Sequence, residues 1–84
     1  MPFRIEFAEL AAEKFRKLDQ TLQERIASRL RLVSANPRRY VSSLRNIRAF
    51  KVRVGDYRLI VDIDWSDEVI CVLTLGHRST VYRR

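Results

Sequence analysis

The sequence holds one cysteine, one histidine, two glycines and two prolines among its 84 residues. Cys71 has no second cysteine for an intramolecular disulfide and no companion ligands at metal spacing, so it reads as a buried, inert thiol within the apolar run Val69 to Leu73. A lone His77 excludes catalysis by paired imidazoles. So little glycine and proline, with 46% apolar residues, excludes a disordered or low-complexity chain. No apolar run approaches the roughly 20 residues that cross a bilayer, and the amino terminus lacks a secretory h-region, so a cytoplasmic protein is expected. A chain this short buries one core, which implies a single domain over residues 1–84 without a deep enclosed site.

Positive charge is abundant. Seventeen basic residues against ten acidic give a net charge of +7, and fourteen of the seventeen are Arg. A soluble surface could use Lys equally well, whereas Arg offers a planar fork that grips phosphate through two parallel hydrogen bonds. From Pro37 to Val61 there are seven basic residues, Arg38, Arg39, Arg45, Arg48, Lys51, Arg53 and Arg58, and one acid, Asp56. That concentration points to nucleic acid or an acidic protein as partner, against the plainer reading of a solvated basic face.

Phe3 to Phe7 alternates apolar and polar residues and predicts a strand. Ala8, Ala11, Ala12, Phe15 and Leu18 recur at helical intervals, which predicts a helix from Ala8 to Leu18. Thr21-Leu22-Gln23-Glu24 has capping-box spacing and announces a second helix, with Leu22, Ile26, Leu30 and Val33 as its buried stripe and Asn36-Pro37 as its stop. A polar connection containing Ser42 and Ser43 leads to strands at Phe50 to Val54, Tyr57 to Asp64 and Val69 to Leu75. Turns are expected at Gly55-Asp56 and Ser66-Asp67. The fold class is α+β in the order β-α-α-β-β-β, a two-helix hairpin on one face of a mainly antiparallel four-stranded sheet.

A two-residue turn at Gly55-Asp56 sets the register: Val54 opposite Tyr57, Arg53 opposite Arg58, Val52 opposite Leu59 and Lys51 opposite Ile60. Phe50, Val52, Val54, Tyr57, Leu59, Val61 and Ile63 then share the face the helices cover, and Lys51, Arg53 and Arg58 share the other. Like charges directly opposite one another destabilise a sheet by a few tenths to about 1 kcal/mol. The plainer alternatives are that the two arginines splay into water or are neutralised by Asp62 and Asp64 on the same face. The functional reading is a phosphate cradle on rigid strands. The last strand returns its end to the level of Arg58, where Gly76 breaks it and His77, Arg78 and Tyr82 follow within reach of the same surface. Arg78 would add a phosphate ligand, Tyr82 could stack on a base, and His77 could titrate near neutral pH; a frayed polar terminus is the alternative.

The run Phe50-Lys51-Val52-Arg53-Val54-Gly55-Asp56-Tyr57-Arg58-Leu59-Ile60-Val61, followed by Gly76-His77-Arg78-Ser79-Thr80-Val81-Tyr82, resembles the signature of RelE/ParE superfamily toxins, and the order of elements resembles theirs too. The resemblance implies a RelE-like fold, ribosome-dependent cleavage of messenger RNA without metal or other cofactor, and inhibition by a small RelB-like antitoxin. It implies Lys51, Arg53, Arg58, Arg78 and Tyr82 as catalytic residues, with Arg45, Arg48, Arg83 and Arg84 contacting RNA or the ribosome. Such cleavage aligns and deprotonates the 2′-hydroxyl, stabilises charge on the phosphate and protonates the departing 5′-oxygen. Arg53 stands where some relatives carry Lys, and Arg cannot accept a proton, which leaves Lys51, His77 or no strong base at all. The ParE branch, similar in fold and implied to poison gyrase, is the nearest alternative. A non-catalytic RNA-binding module and a toxin homologue without activity are the others.

Overall fold

The computed structural model describes residues 2–81. Its elements run β1 (Arg4–Phe7), α1 (Glu9–Arg16), α2 (Gln20–Ala35), α3 (Pro37–Tyr40), β2 (Ser42–Ser43), β3 (Phe50–Val54), β4 (Tyr57–Asp64) and β5 (Val69–His77). The strands form one sheet in the order β1-β5-β4-β3-β2. β1 lies parallel to β5, because α1 and α2 carry the chain across one face before the antiparallel meander begins.

The sheet has five strands where four are expected. Ser42 and Ser43 pair with Lys51 and Phe50 as a short edge strand, too brief and too polar to show a strand period. α3 is likewise new: Pro37 stops α2 and also starts this single turn, since its fixed φ suits a first helical position. α2 is capped by Asp19 rather than Thr21. Asp19 has extended backbone and its Oδ1 accepts from the Leu22 amide at 2.8 Å, placing a carboxylate at the positive end of the helix dipole, while Thr21 is already helical.

β5 runs through Gly76 to His77 instead of stopping at Leu75. Gly76 pairs with Arg58, and a β-carbon there would lie 3.5 Å from Val81, so the tail folds back over this position on Arg58's face. A register shift between Ile60 and Val61 leaves Leu73 as an extra residue on β5.

The core joins Ala11 of α1 and Ile26, Leu30 and Val33 of α2 to Val52, Val54, Leu59, Val61, Ile63, Ile70, Val72 and Leu75 of the sheet. Each fully buried Val, Leu or Ile contributes roughly 1.5–3 kcal/mol over exposure. That burial fixes the function-bearing face, because a slip of one residue in β3 would turn Arg53 into the core and Val52 out of it.

Candidate active site

β3 and β4 pair in the expected register, with Arg53 opposite Arg58 and Lys51 opposite Ile60. The turn between them has φ of +58° at Gly55 and no positive φ at Asp56, the sign pattern of a type II′ hairpin turn. Lys51, Arg53 and Arg58 therefore face away from the helices.

The three cations differ in setting. Arg53 is exposed, Lys51 is half-buried, and Arg58 is only 8% exposed. Arg58 donates Nη1 to the carbonyl oxygens of Gly55 and Tyr57, both at 2.9 Å, so the turn itself holds the guanidinium. Its Nε and Nη2 have no hydrogen-bond partner among the described residues. Ion pairs among the described residues join Arg4 to Glu6 at 3.1 Å and Arg78 to Asp56 at 3.9 Å. Asp62 and Asp64 thus share the open face without neutralising Arg53 or Arg58.

The three cations line a cavity of about 250 Å³ together with Ser42 and Tyr40. Tyr40 is missing from the sequence reading, because its position depends on α3. The guanidinium carbons of Arg29 and Arg39 each lie 5.6 Å from its ring centroid. The result is a small cup lined by three cationic and two hydroxyl-bearing residues, suited to one tetrahedral anion.

Other expected site residues lie elsewhere. His77 is the last residue of β5 and pairs with Tyr57, against which its ring packs edge-on at 5.8 Å. Because β5 continues one pair beyond Gly76, His77 turns to the face opposite Arg58. There it lines a separate cavity with Asp19, Leu22, Arg25 and Tyr57. Its Nδ1 accepts from the Ser79 amide at 3.1 Å. Arg78 follows the end of β5 and is not among the residues lining the cup: its amide donates to the Asp56 carbonyl at 2.7 Å and its exposed side chain lies 3.9 Å from the Asp56 carboxylate. Arg45 and Arg48 are exposed in the loop between β2 and β3, at the end of the hairpin away from Gly55. Tyr82, Arg83 and Arg84 lie outside the described residues.

Cys71 is half-buried on the open face rather than sealed in the core, paired with Glu6 on one side and Asp62 on the other. Burial pushes its thiol pKa up, the Glu6 and Asp62 carboxylates add to the rise, and a backbone hydrogen bond at Ala8 opposes it. The open face is polarised, cationic towards Gly55 and anionic around Glu6, Asp62 and Asp64. A groove of about 650 Å³ between α1, α2 and β1 is lined mainly by apolar side chains, among them Ile5, Phe7, Phe15 and Leu30.

Residues 5–82 match the family of the ParE toxin of type II toxin-antitoxin systems. The mRNA interferase toxin RelE of Escherichia coli K12 is 31% identical over 87 residues, covering 98% of this chain and 92% of the relative. A RelE-like toxin protein of Escherichia coli is 30% identical over the same shares. Among solved structures, the RelBE2 toxin-antitoxin complex from Mycobacterium tuberculosis superposes with a TM-score of 0.86 at 26% identity, covering 94% of each chain. A double-arginine mutant of Escherichia coli RelE in the free state gives 0.82 at 29% identity, covering 98% of this chain and 92% of that one.

Proposed function

This chain belongs to the RelE/ParE superfamily of type II toxin-antitoxin toxins, and on that premise we propose that it is an endoribonuclease that cuts messenger RNA in the decoding site of cytoplasmic ribosomes. The observation that carries this reading is the cationic cup of Lys51, Arg53 and Arg58, which have no ion-pair partner among the described residues, with Arg58 anchored on main-chain carbonyls. Donors held in place before the substrate arrives need no reorganisation as charge develops on a phosphate.

In the proposed reaction the 2′-oxygen forms a bond to phosphorus as the bond from phosphorus to the 5′-oxygen breaks. Arg53 and Arg58 hold the charge on the phosphoryl oxygens. Arg78 steadies the charge on the departing 5′-oxygen, which takes its proton from water, and Tyr82 orients the target nucleotide. Arginines remain protonated and His77 faces the other side of the sheet, so Lys51, acting at this step as the neutral amine, is assigned as acceptor of the 2′-hydroxyl proton. The cup supplies charge on one side only, and alignment of the 2′-hydroxyl falls to the ribosome-held message.

The test is primer extension on message in a translating extract. Codon-registered ends with the intact protein, lost with Arg58→Ala and Arg78→Ala, and little cutting of naked RNA are expected. Absence of such ends, or ends indifferent to both substitutions, would sink the assignment. The match to the family of ParE toxins favours a second reading, gyrase inhibition, which a supercoiling assay decides. A small acidic RelB-like antitoxin is the proposed partner, supported by the +7 charge and by the solved RelBE-type complex. Recovery of no such protein from the native host on a tagged, catalytically weakened variant would count against it.

A further inference from the structure

α2 and α3 bring further arginines to the wall of the cup. The guanidinium carbons of Arg29 and Arg39 each lie 5.6 Å from the ring centroid of Tyr40, which lines the cup with Lys51, Arg53 and Arg58. Arg25 precedes Arg29 by one turn of α2, and both line a second cavity, of about 350 Å³, with Ser28, Val54 and Gly55. A β-carbon added at Gly55 would lie 2.7 Å from Arg25 Nη2, so this guanidinium rests against the tip of the hairpin. Arg25, Arg29 and Arg39 have no ion-pair partner among the described residues. Glu24, the acid of the second cavity, instead accepts from Gln20 on its own helix at 3.2 Å.

Arg53 lines the cup and Val54, the next residue of β3, lines the second cavity. Successive residues of a strand turn to opposite faces, so the two cavities lie on either side of β3 and communicate only around its free edge or the hairpin tip. The edge is free of strand there, because β2 pairs only with Phe50 and Lys51 and leaves Val52 to Val54 without a neighbour on that side. Tyr40 and Arg29 join the two cavities: one belongs to the cup, the other to the α2 cavity, and they lie within cation–π range of each other.

We propose that Arg29 and Arg39 hold the phosphate next to the one in the cup, and that Arg25 carries the same RNA strand on around the edge of β3 to the hairpin tip. The proposal rests on the ribonuclease reading of the cup and adds a backbone track beside it. Contacts to phosphate fix the register of a nucleic acid without reading its sequence, so a second phosphate held beside the first positions the scissile bond. Arginines without a carboxylate partner also displace the strand's counterions when it binds, which adds affinity at low salt. An acidic peptide would satisfy the same side chains, but the shared Tyr40 wall favours the strand the cup already holds.

The full-length protein is titrated with a 2′-O-methylated dinucleotide, trinucleotide and pentanucleotide, which carry one, two and four phosphodiesters and cannot be cleaved, with affinity read from NMR chemical shifts. Arg53→Gln should weaken all three. Arg29→Gln and Arg39→Gln should leave the dinucleotide unchanged and weaken the longer two up to about fivefold each at low salt, the range for an exposed ion pair. Each should also lower the slope of log affinity against log salt by about 0.7, the value for one phosphate contact on a single strand. Arg25→Gln should act on the pentanucleotide alone. Arg29 is half-buried, so Arg29→Lys, which keeps the charge, should restore most of the slope, and the exposed Arg39 keeps the test decisive if Arg29→Gln does not fold.

Equal weakening of the dinucleotide, unchanged affinity and slope for the pentanucleotide in both Arg29→Gln and Arg39→Gln, or two strands bound per chain would overturn the proposal. A glutamate-rich peptide bound more tightly than the pentanucleotide, and released by Arg39→Gln, would overturn it in favour of a protein ligand. Codon-registered cleavage without length-dependent loss in these variants removes the track and leaves the cup. Length-dependent loss in a protein that cuts nothing removes the ribonuclease reading and leaves the track.

Discussion

Arg53 and Arg58 stand directly opposite one another across β3 and β4, with no carboxylate within ion-pair reach of either among the described residues. Their repulsion is a cost the folded chain carries, of the order of 0.2–1 kcal/mol for like charges in this arrangement. Arg53→Gln should therefore raise unfolding stability by up to about 1 kcal/mol at low salt, and the gain should shrink towards zero at about 1 M salt as screening removes the repulsion. Binding of non-cleavable RNA should weaken in the same variant. Urea unfolding at two salt concentrations checks the first part; a variant less stable than the parent at low salt would refute it.

Arg58 behaves differently because its Nη1 bonds the carbonyls of Gly55 and Tyr57. Arg58→Gln relieves the same repulsion but strands part-buried acceptors, which costs about 1–3 kcal/mol, so the net effect is destabilising. The two arginines of one pair are thus predicted to move stability in opposite directions, measurable in the same urea series.

The hairpin turn is the second determinant of the cup. Gly55 has φ of +58°, which costs a residue with a β-carbon roughly 1–2 kcal/mol. A β-carbon there would also come within 2.7 Å of Arg25 Nη2, a flexible tip that can give way. Gly55→Ala should lower Tm by about 4–8 °C per kcal/mol lost, and Gly55→Asn by less, since Asn tolerates this backbone region. Differential scanning calorimetry decides the order of the two.

The hairpin register was legible because only one alignment buries Val52, Val54, Leu59 and Val61 together, and the turn residue with positive φ is a glycine. Asp19 escaped as a helix cap because Thr21 to Glu24 matches the capping box whereas Asp19 is followed three residues on by Leu22, and only the backbone angles show which residue caps. Ser42–Ser43 and Pro37–Tyr40 are too short to carry a period, and with them went Tyr40's place in the cup. His77 was misplaced by one strand pair: glycine is a strand breaker by propensity, but here it is kept in β5 because Val81 packs against it. In a strand one pair is the difference between the two faces.

Tyr40 lines the cup, with its ring centroid 5.6 Å from the guanidinium carbons of Arg29 and Arg39, and we predict that its hydroxyl meets the phosphate. Tyr40→Phe keeps the ring and removes the hydroxyl. It should leave stability within about 0.5 kcal/mol and lower kcat/KM on ribosome-bound message roughly tenfold, the loss for one hydrogen bond to a charged group. Tyr40→Ala should cost more on both counts. Cleavage by Tyr40→Phe at the parental rate would show that the ring alone matters.

Cys71 gives the pH-dependent prediction. Burial first, then the flanking Glu6 and Asp62 carboxylates, disfavour its thiolate, and the Ala8 hydrogen bond offsets this in part. The thiolate is the reactive form, so at pH 7.5 iodoacetamide should alkylate the native protein more slowly than the urea-unfolded chain, and the native rate should still be rising where the unfolded rate has levelled off. Asp62→Asn and Glu6→Gln each remove a repelling charge and should each speed native alkylation at fixed pH. The sign for stability follows from the same shift: the unfolded thiol loses its proton at lower pH than the folded one, so this group's contribution falls as pH rises from the unfolded value towards the folded one. A native protein alkylated as fast as the unfolded chain at pH 7.5, or a rate indifferent to both substitutions, would show that neither burial nor the two carboxylates governs this thiol.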